Sequence, residues 1–456
     1  MRGLLGLVFV MFTAVAGAGQ TTHEYKLDNG LKLIVKEDHR APVMVSQVWY
    51  KVGSSYEHNG ITGISHVLEH MMFKGTGKYP AGTFSRIVAE NGGEDNAFTG
   101  QDYTAYFQTM EASRLPVSFE LEADRMRNLT LPREEFLKEV QVVMEERRMR
   151  TEDNPQALAY ERFKAAAYIT NPYRNPIIGW MSDLEQLKID DLERWYAQWY
   201  APNNATLVVV GDVDPEHVLA LAKKHFGPLK PSTIEAAKDR PELEQRGIKR
   251  LEVRAPAELP YLMMGYKVPV VLTADSDTDW EPYALEVLAG VLDGGTSARL
   301  ESEVVRGDAV ATSAGAGYDA YDRLQSLFML SGTPAKDHTV KDLETEFRKQ
   351  LRRLREERVP NDELARVKAQ IRAAKIYEED SIFYQAMQIG SMETIGLSWK
   401  ETERFYERLE AITPEQVQAV ARKYFSDTGL TVAELVPQPI DPANPPASAG
   451  ADAQLH

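Results

Sequence analysis

Two histidines and a glutamate stand close together in the segment His66-Val67-Leu68-Glu69-His70. On a helix, residues four apart share one face, so both imidazoles can present nitrogens to one tetrahedral metal ion. The intervening carboxylate can then reach water in the open fourth position and accept a proton from it. Chance matches to this pattern, with 9 His and 68 acidic residues in the chain, would number roughly 0.03. The spacing predicts a zinc hydrolase site with Glu69 as base; the alternative is an exposed, polar histidine pair beside a salt-bridging glutamate.

A catalytic zinc ion usually has three protein ligands, and the segment after Pro132 offers the third. Pro132 can open a helix on which Glu139, Val143 and Glu146 share one face. A carboxylate on a partly apolar face favours a metal or a hydrogen-bonded cation as its partner. Glu145 points about a quarter turn away and is predicted to be solvated. Without the histidine motif, an ordinary charged helix surface would be the preferred interpretation of the two glutamates.

The residues around the histidines predict the helix that must position them. Thr62 or Ser65 can cap its start, and Gly75 follows its end. His39 and His58 lie in polar, loop-like stretches and are not predicted to be ligands. The apolar side of the helix would face a core and consists of Ile64, Val67, Leu68 and Met71.

These motifs resemble those of the inverted zincins, the family of pitrilysin, insulin-degrading enzyme and the mitochondrial processing peptidase, whose signature is His-x-x-Glu-His. The resemblance implies that Glu146 completes a site for one Zn²⁺ per chain, together with His66 and His70. It also implies that Glu139 supports the ligands from behind. The stretch Gly92 to Thr99 is similar to the family's Gly-Gly-x-x-Asn-Ala-x-Thr strand, whose edge pairs with extended substrate. Within it, Asn96 and Ala97 are the expected substrate-binding residues.

Composition limits the compartments and partners of the chain. Among its 456 residues there is no Cys, which excludes disulfides and thiolate metal sites. A formal net charge of −16 argues against nucleic acid as a partner and could favour basic peptides, although global charge says little about a cleft.

The N-terminus predicts a secretory signal peptide. Arg2 precedes an apolar run from Leu4 to Ala16, and the small residues Ala16-Gly17-Ala18 offer a cleavage site. A retained anchor is the alternative. No later segment approaches the ~18 apolar residues of a membrane span, so no stable span is expected once the signal is removed. We therefore expect an exported protein, which would be periplasmic if the source is a Gram-negative bacterium.

Similar features recur in the same order in both halves of the chain, which indicates an internal duplication. Tyr50-Lys51-Val52 precedes the motif helix, and Tyr266-Lys267-Val268 precedes a second predicted helix. Alignment of the two helices places His66, Glu69 and His70 on Glu286, Ala289 and Gly290, so the metal-binding residues are absent from the second copy. The aromatic pair Trp199-Tyr200 before a predicted strand likewise has a counterpart in Tyr424-Phe425.

The predicted fold class is α+β, with two homologous α/β-sandwich-type halves, and the mixed strands and helical hairpins argue against a doubly wound parallel sheet. The resemblance implies that the halves face each other around a chamber with zinc on the N-terminal wall. The predicted segments are a signal peptide (1–19), a zinc-binding peptidase domain (20–230), a polar linker (231–246), a related domain without metal (247–436) and a disordered tail (437–456).

One departure from the family concerns substrate binding. Active members usually carry an Arg and a Tyr seven residues apart in the C-terminal half, which hold substrate over the metal, and this pair is not found here. Either Tyr318 or Tyr321 replaces it from a rearranged loop, or another subunit supplies it. We hypothesise the second arrangement, a heterodimer with a related non-catalytic chain, in preference to a homodimer.

The sequence thus predicts a zinc-dependent endopeptidase that hydrolyses peptides or unfolded segments, as the catalytic subunit of a two-chain enzyme. The competing interpretation is a non-catalytic structural or assembly subunit with a vestigial zinc site. A hydrolase of non-peptide amides is a third, which would leave the peptide-binding edge without a use.

Overall fold

The structure is a computed structural model that describes residues 21–235, 238 and 240–440. The predicted signal peptide lies outside the described residues, as does the part of the predicted tail after residue 440. The start of that tail is placed differently from the prediction. Pro437 and Gln438 end a strand and pair with Ala255 and Pro256, so the predicted tail begins at least two residues too early.

Two sheets contain the strands of the described residues. The strands are β1 (Thr22–Lys26), β2 (Lys32–Glu37), β3 (Val43–Tyr50), β4 (Glu94–Thr99), β5 (Thr104–Glu111), β6 (Ala205–Gly211), β7 (Lys249–Pro256), β8 (Tyr261–Val268), β9 (Ala311–Gly317), β10 (Ser326–Pro334) and β11 (Leu430–Gln438). The helices are α1 (Ile64–Met71), α2 (Thr83–Glu90), α3 (Leu115–Asn128), α4 (Arg133–Arg147), α5 (Pro155–Ala167), α6 (Met181–Leu184), α7 (Ile189–Trp199), α8 (Pro215–His225), α9 (Glu281–Asp293), α10 (Val340–Glu356), α11 (Asn361–Glu378), α12 (Ile382–Ile395), α13 (Glu401–Ala411) and α14 (Pro414–Tyr424).

The two sheets have the same topology. The first has the strand order β1-β2-β6-β3-β5-β4 and the second has the order β7-β11-β8-β10-β9. Without β1 the orders correspond strand for strand, and the parallel pair of β2 with β6 matches the parallel pair of β7 with β11. The predicted α+β class with two related halves is therefore confirmed. No helix within the described part of the chain combines the length and apolar character that crossing a membrane requires.

Each half contributes a helix to the sheet of the other half. In the first sheet, Trp49 and Val208 pack against Ile389 of α12, which belongs to the second half. In the second sheet, Met263 packs in one cluster with Phe163 of α5, which belongs to the first half. The halves are thus separate in sequence but are held together by a reciprocal exchange of helices.

Close backbone approach fixes both exchanged helices. A Cβ atom on Gly390 of α12 would lie 2.1 Å from the indole of Trp49, and one on Gly265 of β8 would lie 2.6 Å from the ring of Phe163. Because contacts this short are not tolerated, any larger residue would push the helix away from the sheet. Each glycine therefore permits close contact between an exchanged helix and the sheet that it covers.

The second half keeps the helical scaffold of the motif but has neither of its histidines nor a counterpart of Glu69. Helix α9 packs against α11, as α1 packs against α4. A Cβ atom on Gly290, which aligns with His70, would lie 2.7 Å from Val367 and 3.4 Å from Ile371. The position of the second histidine is thus filled by apolar side chains, which agrees with the predicted loss of metal chemistry from this half.

A single arginine of the second half is inserted into the first. Arg323 precedes β10, and its guanidinium donates to Asp102 at 2.8 Å and to the Ser55 hydroxyl at 2.7 Å. It also lies over the ring of Tyr56, at 4.5 Å from the centroid. The hydroxyl of Tyr173 donates to the same Asp102 and accepts from the Arg323 backbone N–H. Three loops of the first half therefore converge on one residue of the second.

We expect Arg323→Met to lower the stability of the chain by about 3–5 kcal/mol, because it leaves a buried carboxylate without its cation. The side chain of Asp102 is only 4% exposed. Urea unfolding checks this, with Arg194→Met as the control, since Arg194 forms an exposed pair with Asp191 that should contribute less than about 1 kcal/mol. Equal shifts of the two unfolding midpoints would contradict a structural role for Arg323.

Candidate active site and metal centre

Helix α1 begins differently from the prediction. Its N-cap is Gly63, at a φ of +88°, and no side-chain hydrogen bond from that position caps it. The buried carboxylate of Glu57 instead accepts from the N–H groups of Gly63 and Ser65, at 2.7 and 2.9 Å. Thr62 is not the cap, because its hydroxyl donates to Asp183. The helix that carries the histidines is therefore anchored by a carboxylate from the preceding loop.

Burial raises the pKa of Glu57 to about 7, although the two backbone N–H groups act in the opposite direction. A negative charge at a helix N-terminus is favourable, because the unpaired N–H groups there carry partial positive charge. A second constraint is steric, since a Cβ atom on Gly63 would lie 2.6 Å from the carbonyl oxygen of Ile178. The start of α1 is thus fixed both by the two hydrogen bonds to Glu57 and by close packing.

Three ligand-type side chains meet where α1 packs against α4. One ligand atom each from His66, His70 and Glu146 lies within 4.8 Å of the other two. The Nε2 atom of His66 is 3.8 Å from Glu146 Oε1, and the Nε2 atom of His70 is 3.5 Å from Glu146 Oε2. Two imidazole nitrogens and one carboxylate oxygen form a donor set that suits Zn²⁺ and leaves a fourth position open. No other group of this kind occurs among the residues that the structure describes.

Glu139 lies behind the histidines, about two helical turns before Glu146 on the same helix. Its Oε2 atom is 3.2 Å from Nδ1 of His70, and its Oε1 atom is 2.6 Å from the Lys74 ammonium. A carboxylate that accepts from Nδ1–H leaves Nε2 of the ring as the free donor for a metal. The predicted supporting position of Glu139 therefore agrees with its contacts. Glu145, by contrast, has a side chain that is 63% exposed, as expected.

Glu69 is placed on the same side of α1 as the cluster and is held by β4. The hydroxyl of Thr99 donates to its Oε2 atom at 2.5 Å. Burial raises the pKa of Glu69, and the hydrogen bond from Thr99 lowers it in part. A carboxylate with a raised pKa and one fixed oxygen suits a general base, because its pKa is then closer to neutral pH.

The ligand cluster is strongly coupled electrostatically. Burial raises the pKa of Glu146, but hydrogen bonding to His70 and the charges of His66 and Arg150 outweigh it and bring the pKa to about 2. Burial lowers the pKa of His70, but its bond to Glu146 and the charge of Glu69 outweigh that effect, so the pKa is raised. Because a metal must displace protons from such histidines, its affinity is expected to fall as the pH falls.

The strand with the Gly-Gly-x-x-Asn-Ala-x-Thr pattern is an edge strand. Among the strands that the structure describes, β4 pairs only with β5 and ends the first sheet. Side chains alternate across a strand, so Ala97 and Thr99 share the face that is turned toward α1. The Ala97 N–H donates to the side chain of Asn96 at 2.9 Å. Both predicted substrate-binding residues therefore line the same cavity as the histidines.

The cavity at this site measures about 620 Å³ and is lined, within the described residues, by side chains of the first half alone. Neither tyrosine that could replace the missing pair reaches it. Tyr318 donates its hydroxyl to the carbonyl oxygen of Pro269 at 2.6 Å. Tyr321 packs beside Phe405 in the core of the second half. The chain therefore brings the metal-type ligands and the edge strand together, but not these tyrosines.

Sequence reasoning missed several residues of the cavity. Thr99 was part of the strand pattern, and its spacing from Ala97 could have placed it on the same face. Lys74, which pairs with Glu139 just outside the cavity, follows the end of α1 at Met71, so helical spacing does not place it there. Lys164 and Arg174 also line the cavity, and no local pattern distinguishes them from other surface cations.

The chain is similar to known proteins along most of its length. Residues 32–180 match the model of the insulinase family, peptidase family M16, and residues 186–371 match that of the peptidase M16 inactive domain. The chain is 33% identical over 454 residues to the zinc protease PqqE of Helicobacter pylori, covering 96% of this chain and 99% of that protein.

Solved structures give the same result for the fold. The crystal structure of a protease from Helicobacter pylori matches with a TM-score of 0.86 at 31% identity, covering 92% of this chain and 100% of that one. The periplasmic protease PqqL from Escherichia coli shares the fold, with a TM-score of 0.78 at 18% identity. That match covers 96% of this chain and 51% of PqqL, so this chain corresponds to about half of the larger protein.

Proposed function

Because this chain belongs to the insulinase family of zinc peptidases, peptidase family M16, we propose that it is a zinc-dependent endopeptidase that hydrolyses peptides or unfolded segments. The observation that carries the proposal is the convergence of His66, His70 and Glu146 beside Glu69, in a cavity whose wall includes a free sheet edge. A purely structural subunit has no physical need for ligands, base and edge together.

The residues have distinct roles in the proposed reaction. Zn²⁺ held by His66, His70 and Glu146 would supply a Lewis acid that polarises the scissile carbonyl and acidifies water. Glu69 accepts the proton of the attacking water and then passes it to the leaving amine. Thr99 keeps the carboxylate of Glu69 in place through its hydroxyl.

The substrate backbone adds to β4 as a further strand. Strand addition of this kind uses main-chain hydrogen bonds for affinity and leaves alternate side chains to be read by pockets. The side-chain oxygen of Asn96 accepts from the Ala97 N–H, and an incoming carbonyl would take over that donor. Both residues are therefore assigned to substrate binding.

The proposed enzyme has two chains, of which this one supplies the metal half. The cavity is open, its described lining comes from one half of the chain, and Tyr318 and Tyr321 are committed elsewhere. A related non-catalytic chain that covers the cavity would supply the missing Arg and Tyr. Copurification from the source and size-exclusion chromatography of the chain alone test this, and a fully active monomer would end the two-chain proposal.

Export is proposed from the N-terminal segment 1–19, with a periplasmic location if the source is a Gram-negative bacterium. The periplasmic relative PqqL is compatible with this placement. Fractionation of the source, together with N-terminal sequencing of the recovered protein, tests it. An N-terminus that still begins at Met1 would show that the segment is not removed.

Cleavage of a mixed quenched-fluorescent peptide library by the zinc-loaded chain tests the activity. We expect cleavage that a chelator abolishes and that added Zn²⁺ restores. Cleavage that survives the chelator would contradict a metallopeptidase. Bound zinc without cleavage, both for the chain alone and for its copurified complex, would favour the structural subunit with a vestigial site. Hydrolysis of small amides with no competition by peptides would favour the third interpretation.

A further inference from the structure

Three of the residues that line the cavity, here called the cationic wall, are positively charged, although the chain as a whole has a formal net charge of −16. Arg150, Lys164 and Arg174 line this wall. They come from three different segments, namely the π-helical segment Arg148–Glu152 after α4, helix α5 and the short 3₁₀ helix Pro172–Arg174 that follows it. A cationic wall inside an acidic protein is a local feature that the global charge does not explain.

Two of the three cations form no ion pair with a carboxylate in the described part of the chain. Lys164 forms no ion pair within the described residues, and its ammonium lies 5.8 and 5.9 Å from the ring centroids of Tyr160 and Tyr173. Arg174 likewise pairs with no acidic residue of the described chain, and one of its nitrogens donates to the carbonyl oxygen of Ile169 at 3.0 Å. Arg150 differs, because it pairs with Glu146 at 2.8 Å.

The acidic residues of the same cavity do not neutralise this wall. Glu161 is already bound by both terminal nitrogens of Arg147, at 2.7 and 3.0 Å. Glu146 and Glu69 belong to the ligand cluster and to the proposed base. Lys164 and Arg174 thus line the cavity without a direct ion pair to any acidic residue of the described chain.

The positive surface continues beyond the cavity. A second, more open groove of about 590 Å³ adjoins it and shares Arg174 with it. Arg240 and His58 also line this groove. The carboxylate of Glu57 is turned away, because it accepts from the start of α1. An extended chain that leaves the cavity past Arg174 therefore meets a second arginine.

We propose that the cavity selects peptides that carry a carboxylate beside the scissile bond, recognised by Arg174 and Lys164. The inference rests on the proposed endopeptidase function and names its substrate class. A guanidinium can bind a carboxylate through two parallel hydrogen bonds, and the ammonium adds a point charge. The carboxylate belongs to an Asp or Glu side chain or to the C-terminus of the peptide. This preference is opposite to the basic peptides that the overall charge could favour.

Paired peptide substrates test the proposal. Each pair differs only in Asp against Asn, Glu against Gln, or a free against an amidated C-terminus, so the pairs also identify the source of the carboxylate. We expect kcat/KM of the full-length, zinc-loaded protein, with its copurified partner if one is found, to be at least about tenfold higher for the acidic member of a pair. The ratio should decrease as salt is added, because the charges are partly exposed.

Variants of the wall assign the preference to its residues. Arg174→Gln and Lys164→Gln together should bring the ratio close to one, Arg174→Lys should retain part of it, and Arg174→Glu should favour a Lys-containing peptide. Arg162→Gln is the matched control on α5, because Arg162 lies over Trp180 and does not line the cavity. A ratio near one in the unmodified protein, or an unchanged ratio in the double variant, would overturn the proposal.

The two proposals can fail separately. If no peptide is cleaved, the endopeptidase proposal fails, and binding of the same peptide pairs is then measured by fluorescence anisotropy. Tighter binding of the acidic member, lost in the double variant, would still support carboxylate recognition. Equal binding of both members would overturn it. Cleavage without acid preference would overturn the selectivity alone.

Discussion

Glu69→Gln is expected to bind zinc as the unmodified chain does and to lose catalytic turnover by about 10²–10⁴-fold. Glutamine has nearly the shape of glutamate and can keep a hydrogen bond with Thr99, but it cannot accept a proton from water. The contact with Thr99 at 2.5 Å and the position of residue 69 on α1 would be retained. The change thus removes proton transfer while it leaves the cluster of His66, His70 and Glu146 in place.

Two measurements are needed for this variant. Zinc content by mass spectrometry should equal that of the unmodified protein, and kcat should fall while KM changes little, since the residue acts on the chemical step. Glu145→Gln is the matched control, because Glu145 lies on α4 with an exposed side chain and should change neither quantity. Wild-type turnover in Glu69→Gln would show that another group is the base.

The local parts of the site could be predicted from the sequence because they repeat with the period of their own element. The spacing of His66 and His70, and that of Glu139 and Glu146, follows from 3.6 residues per turn. The alternation that places Ala97 and Thr99 on one face follows from the period of two in a strand. The duplication was visible as well, since it preserves the order of elements in both sheets.

The rest of the site depends on contacts between segments that are far apart in the chain. Arg323 and Asp102 are 221 residues apart, and no local pattern indicates that they meet. The exchange of α5 and α12 between the halves is equally invisible, because an amphipathic helix does not specify which sheet it covers. Even the start of α1 was predicted wrongly. Thr62 and Ser65 are good capping residues by type, but the carboxylate of Glu57 takes that role.

The cationic wall has the same origin. Lys164 and Arg174 are ordinary in their local sequences, and they become a pair only because helix α5 and the loop after it both line the cavity. Overall charge pointed the other way, since a net charge of −16 describes the whole surface and not this cleft. A binding preference therefore has to be argued from the side chains that face the ligand.

Zinc affinity should distinguish the roles of Glu139 and Glu146, the two acidic residues of α4 that contact the histidines. We expect Glu139→Gln to weaken zinc binding by about 10–100-fold, because it supports His70 without contacting the metal. Glu146→Gln should weaken it further, since it removes a charged ligand atom from the cluster. Competition with a zinc-binding dye measures both affinities, and Glu145→Gln should match the unmodified protein.

The order of the two effects distinguishes the roles. His70 keeps Nε2 free only while its Nδ1–H has an acceptor, and Glu139 is that acceptor at 3.2 Å. Glutamine can still accept this bond through its amide oxygen, so orientation is preserved and only the charge is lost. At Glu146 the amide oxygen is a much weaker ligand than a carboxylate, and Arg150 loses its partner as well. If Glu146→Gln binds zinc as tightly as the unmodified chain, the third ligand lies elsewhere and the assignment of the metal centre fails.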